Sequence, residues 1–185
     1  MLITTISHVA AFKGVDTPTR RALFAERDRI DTAFRSVYGH PALFFEHGVG
    51  AQRALTADLH CTHAHHNALP VPFGAAALDG VVERLCVSGL SPMLMTGDEA
   101  QDWYTTAAAD DYYYVGDLSR HYRIDYAAAP PRRLFRRVLA GLLELTAPDA
   151  VTWETCSTPP WTDPRTAHLG AIVRQPPKGS IWGGA

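Results

Sequence analysis

The sequence predicts an α+β fold. Helical stretches and short strands interleave along the chain without the regular spacing of βαβ units. Two of the strands flank the turn Gly116-Asp117-Leu118-Ser119, as the arms of an antiparallel hairpin do. The apolar share, 46% of 185 residues against 19% charged, supplies a core for a single domain of ordinary size and excludes global disorder.

The elements follow in order. Residues 2–11 read as a short strand leading to a polar loop at Lys13–Asp16. Thr17 is the expected cap of a helix whose first turn carries Pro18. Leu23, Ile30, Phe34 and Val37 recur at helical spacing as far as Gly39, which terminates the helix. Ala42–Phe45 is a short apolar strand, and Gly48 to Asp58 is a loop. Leu59–Leu69 alternates as a strand does, and Pro70 ends it. Ala75–Cys86 is a helix that turns Leu78, Val82 and Leu85 inward. Met93–Met95 is a strand, and Asp98–Ala108 a helix capped by Asp98. Tyr112–Val115 and His121–Tyr126 form the hairpin. Pro131–Leu145 is an amphipathic helix with a basic face carrying Arg132, Arg133, Arg136 and Arg137, which reads first as a solvated face. Prolines, glycines and turn residues dominate after it, so residues 156–185 read as a loosely packed tail on a domain of 1–155.

Net charge is −2, from 17 basic and 19 acidic residues, so no basic field marks a nucleic-acid partner. Cys61, Cys86 and Cys156 form no CxxC pair and no disulfide framework, which favours a reduced, cytoplasmic setting. The segment MLITTISHVAAFKG lacks the basic start of a signal peptide, and no apolar run reaches the ~18 residues of a membrane span. The expected protein is soluble, with no membrane partner.

Histidine is the unusual residue. Five of the nine lie between His47 and His66. On an extended strand Cys61, His63, His65 and Asn67 share one face, while His60, Thr62, Ala64 and His66 share the other. One face thus presents two imidazoles and a carboxamide in a row.

This stretch, His63-Ala64-His65-His66-Asn67-Ala68-Leu69-Pro70, resembles the signature strand of the histidine-triad (HIT-like) superfamily. Ile6-Ser7-His8 looks like the family's strand end with a lone His, and Leu43-Phe44-Phe45-Glu46-His47-Gly48 like the strand and turn before the triad. Tyr112–Val115 and the Pro131–Leu145 helix resemble a subgroup with a C-terminal extension, so the likeness spans roughly residues 2–155. It implies a HIT-like antiparallel sheet with flanking helices, and a homodimer. Three departures stand out. Asn67 takes the third triad place, where the transferase and phosphorylase branch has Gln. The cysteine pair that binds zinc in many relatives has no counterpart before His8, so no cofactor is expected, although zinc stays open. A bulky His60 stands where small residues are common.

The resemblance implies a nucleotidyl hydrolase or nucleotidyltransferase acting on a nucleotide or nucleoside-phosphate conjugate. His65 would attack the α-phosphorus and form a nucleotidyl-imidazole, a role that suits a neutral imidazole. His63 would orient the site. Asn67 can steady phosphoryl oxygens but cannot carry a proton near neutral pH. Glu46, His47 and His60 are the expected substrate-binding residues. Two other readings stay open: a metal site drawn from His60, His63, His65 or Cys61, and a catalytically degenerate nucleotide-binding accessory protein.

Overall fold

A computed structural model describes residues 2–4, 9–51, 64–72, 75–125 and 134–142. Six strands form one sheet in the order β1-β3-β2-β5-β6-β4, with β1 at Leu2–Thr4, β2 at Ala42–Gly48, β3 at His65–Pro70, β4 at Met93–Met95, β5 at Tyr112–Gly116 and β6 at His121–Asp125. Every neighbouring pair is antiparallel. The helices are α1 (Thr17–Tyr38), α2 (Ala75–Val87), α3 (Gly97–Trp103) and α4 (Leu134–Leu142). The fold is α+β, as the sequence predicts.

Each face of the sheet carries its own core. Leu23, Ile30, Ala33 and Phe34 of α1 pack with Phe44, Ala64, Ala68, Tyr104, Tyr112 and Tyr114. On the opposite face, Leu78, Val81 and Leu85 of α2 and Leu134, Phe135 and Val138 of α4 pack on Leu43, Tyr113, Val115 and Ile124. The alternation of β2 and β5 accounts for this division, since odd and even positions must serve different helices.

Several boundaries differ from expectation, each for a local reason. The first strand is described only over Leu2–Thr4, and residues 9–12 are not strand: Phe12 turns into the core and its N–H is taken by the Glu46 carboxylate at 2.8 Å. Asp16, not Thr17, caps α1, because its extended backbone lets Oδ1 accept Thr19 N–H at 2.8 Å. Gly39 closes that helix in the left-handed region, φ 73°. Thr96, not Asp98, caps α3, through a reciprocal capping box with Glu99, and the helix stops at Trp103. In α2, Ala77, Leu78, Val81 and Leu85 are buried, while Val82 is only partly so. The β5–β6 turn is held by Asp117, whose Oδ1 accepts the N–H groups of Ser119 and Arg120.

The largest revision concerns β2. It runs on through Glu46, His47 and Gly48: β3 pairs with it as far as Glu46, and β5 as far as Gly48. Pro70 is the last residue of β3, where its missing N–H ends the ladder. The expected residues 5–8, 52–63, 126–133 and 143–185, including His8, His60, His63, Arg132, Arg133 and the tail, lie outside the described residues. No helix among the described residues is long and apolar enough to cross a membrane.

Candidate functional site

β3 lies between β1 and β2, so its side chains alternate between the two cores. His65 and Asn67 are half-buried, whereas Ala64, His66 and Ala68 are fully buried. Asn67 is opposite Phe45 on β2, and His66 is opposite Glu46. That register ends there: beyond it Ala64 N–H goes to Val9 O and Val49 N–H to Ala10 O, with His47 next to Glu46 on β2 and His65 next to His66 on β3. His47 is in turn opposite Tyr113 on β5. His47 and Tyr113 therefore form one cross-strand pair on the α2/α4 face and Asn67 and Phe45 another, with His65 on the same face of β3. Directly opposed side chains, as in the pairs Asn67–Phe45 and His47–Tyr113, lie about 5 Å apart at Cβ.

The walls of this site are aromatic. Tyr113 lies 4.8 Å from the His47 ring centroid, and Phe135 of α4 meets Tyr113 edge-on at 4.7 Å. Phe135 also stacks on Phe45 at 5.2 Å. α4 thus closes one side of the row, while the His47 side chain keeps 39% of its surface open. Behind it stands Asp111, 6% exposed, with Oδ2 at 3.7 Å from His47 Nε2 and Oδ1 accepting Gly50 N–H at 2.9 Å.

The opposite face of the same two strands is closed. The Glu46 carboxylate accepts Phe12 N–H at 2.8 Å, Tyr112 O–H at 2.6 Å and Tyr104 O–H at 3.0 Å, with His66 Nε2 at 2.8 Å. Burial disfavours its charge, but these contacts outweigh burial and hold the carboxyl below the ordinary Glu value. Burial, aided by the Arg27 charge, pushes His66 below the ordinary imidazole value despite Glu46. Its Nδ1 is buried with no hydrogen-bond partner. A lone pair there costs less than an N–H would, so the neutral ring with its proton on Nε2, facing Glu46, fits best. Gly48 makes the arrangement possible: a Cβ there would collide with the Tyr112 ring on its way to Glu46.

Arg27 completes this face. It is 1% exposed, donates to Asp117 O at 2.8 Å and lies over the rings of Phe44 and Tyr114 at 4.6 and 5.1 Å. Tyr114 O–H sits 2.7 Å from His121 Nδ1, and burial with the Arg27 charge takes His121 down to about 4.

Of the residues singled out from sequence, His65, Asn67 and His47 lie on the same face of the sheet. His63 and His60 lie outside the described residues. Glu46 is corrected: it is not on a turn that reaches substrate but inside β2, with no exposed surface. Asp111 escaped sequence reading, as did the pairing of His66 with Glu46. Asp110-Asp111 before an aromatic strand was visible, but only the β2–β5 register puts Asp111 behind His47. Among the described residues no three His, Cys, Asp or Glu side chains converge as a metal-ligand set. Comparison with known proteins finds no family model that matches the chain and no curated protein significantly similar to it.

Proposed function

We propose that the chain is a nucleotide-binding enzyme of histidine-triad type that cleaves or transfers a nucleoside monophosphate group at the α-phosphorus. The observation that carries this reading is the placement of His65 and Asn67 on one half-buried sheet face, which His47 of the neighbouring strand shares. Neutral His65 attacks phosphorus; the P–N bond forms as the bond to the leaving group breaks, and the leaving group departs with the electron pair. Water or another acceptor then attacks the nucleotidyl-imidazole, and the P–N electrons return to His65. Asn67 donates its amide N–H to a phosphoryl oxygen, which steadies the charge without moving a proton. Phe45 and Tyr113 offer apolar surface beside the reacting atoms.

The test is release of nucleoside monophosphate from a panel of a dinucleoside polyphosphate, a nucleotide sugar and an aminoacyl adenylate. Wild type is expected to turn over at least one of them, and His65→Ala to lose that activity by at least about 10³-fold. Acid quench should trap nucleotide on His65. Equal activity in His65→Ala would overturn the assignment. Asn67 in place of a proton-carrying residue favours one alternative, a nucleotide-binding accessory protein. Tight nucleotide binding without turnover across the panel would establish that instead.

A further inference from the structure

We propose that His47 supplies and recovers the proton in this reaction, and that Asp111 positions it. The inference rests on the nucleotidyl-transfer reading and deepens it by naming the acid and base. Any such site must protonate a poor leaving group, and Asn67 cannot do so at neutral pH. His65 is committed as the nucleophile. Tyr113 is only 4% exposed. Asp111 is buried, whereas the His47 side chain keeps 39% of its surface open, which makes His47 the accessible proton-exchanging group beside them.

Its setting matches that task. Asp111 is anchored by Gly50 N–H at 2.9 Å, so its carboxylate is fixed before any ligand arrives. Its second oxygen faces His47 Nε2 at 3.7 Å, in a part of the ring shielded from solvent. The tilted contact with Tyr113 limits rotation of the ring. In this proposal Nε2–H turns towards Asp111 as the imidazolium forms, and Nδ1 is the nitrogen that exchanges the proton. The carboxylate also compensates the charge of the imidazolium, the role a buried carboxylate plays behind a catalytic histidine.

The proton inventory closes. In the first step His65 forms the P–N bond, the bond to the leaving group breaks, and that group takes the proton from His47 Nδ1. His47 is then neutral. In the second step the attacking water or hydroxyl gives its proton to Nδ1 as its oxygen bonds to phosphorus and the P–N bond breaks. His65 returns neutral and His47 returns as the imidazolium.

The experiment holds the nucleoside constant and varies the leaving group: p-nitrophenolate, an alkyl alcohol and an amine, each as its nucleoside 5′-monophosphate derivative. His47→Gln should lower kcat/KM about 10²- to 10³-fold for the alcohol and the amine, and less than about tenfold for p-nitrophenolate. Asp111→Asn keeps an oxygen for Gly50 N–H, and its near-ultraviolet circular dichroism should match wild type. In that variant the alkaline limb of the pH–rate profile should move to lower pH, because the compensating charge is gone. The titratable groups beside His47 are Asp111 and Tyr113, with His65 on the same face of β3, and an Asp111→Asn substitution alters only the first. His63→Gln is the control. If it, and not His47→Gln, steepens the dependence on leaving group, His63 is the acid and the proposal is overturned. A uniform loss across all three leaving groups in His47→Gln would also overturn it, leaving His47 a binding residue. The two readings fail separately: His65→Ala with full activity ends the nucleotidyl-transfer reading, and with it the role of His47. His65→Ala without activity, alongside His47→Gln with an unchanged leaving-group profile, ends only the proton-transfer role.

Discussion

His65 and His66 are neighbours in sequence and opposites in environment. His65 is half-buried beside Asn67 on the α2/α4 face. His66 has no exposed surface and is locked to Glu46 and Tyr104 on the α1 face. The same contrast recurs one strand over, where Glu46 is saturated with donors and His47 is partly open with a carboxylate behind it. A strand puts consecutive residues on opposite faces, so one dipeptide can serve chemistry and anchorage at once. The closed face fixes how β2 and β3 sit against each other. The open face then inherits the fixed pairing of Asn67 with Phe45.

The comparison breaks most sharply at Glu46. Glu46→Ala leaves Phe12 N–H, Tyr104 O–H, Tyr112 O–H and His66 facing a void. It should cost about 3–5 kcal/mol of stability in urea unfolding monitored by circular dichroism, as removal of one side of a buried polar cluster does. A loss within experimental error would mean that water replaces the carboxylate and that the closed face is not closed. The paired substitutions His66→Ala and His65→Ala sharpen the contrast. The first should cost about 2–4 kcal/mol, from the cavity and the lost partner of a buried carboxylate. The second should cost less than about 1 kcal/mol while removing activity. Equal costs at both positions would erase the distinction between the two faces.

Much of this was legible in the sequence. Helical spacing from Leu23 to Val37 locates α1, and alternation places His65 and Asn67 on a common face away from His66. What could not be read is register. A charged Glu46 looks like the end of an apolar strand, since a carboxylate is costly in a core unless donors meet it. Those donors come from residues 12, 66, 104 and 112, which only the folded sheet assembles. Arg27 hides in the same way: on α1 it occupies a position that periodicity alone would accept as apolar, and its ring contacts are with Phe24, Phe44 and Tyr114. Asp111 is missed for a third reason. Its place behind His47 depends on β5 pairing with β2, a contact between strands far apart in the chain. The caps at Asp16 and Thr96 were misplaced by one or two residues because adjacent Asp and Thr residues are all competent caps, and the backbone conformation chooses between them.

The smallest expected effect concerns acid. Burial and Arg27 lower His121 from 6.5 to about 4 in the folded chain. Between those values a falling pH loads a proton on the unfolded chain and not on the folded one. The contribution of His121 to stability is therefore whole above about pH 6.5 and declines as pH falls towards about 4. His66, also lowered, acts in the same direction. Glu46, held below its ordinary value, adds its own loss only further down, as the folded carboxyl takes its proton. Unfolding midpoints in urea between pH 7.5 and 4.5 should fall steadily for wild type. His121→Gln keeps an oxygen that can accept the Tyr114 hydroxyl but carries no titrating ring, so its midpoints should fall less steeply over the same range. An identical slope in wild type and His121→Gln would show that the ring near Tyr114 is hydrated, and that the α1 face admits water where it is expected to exclude it.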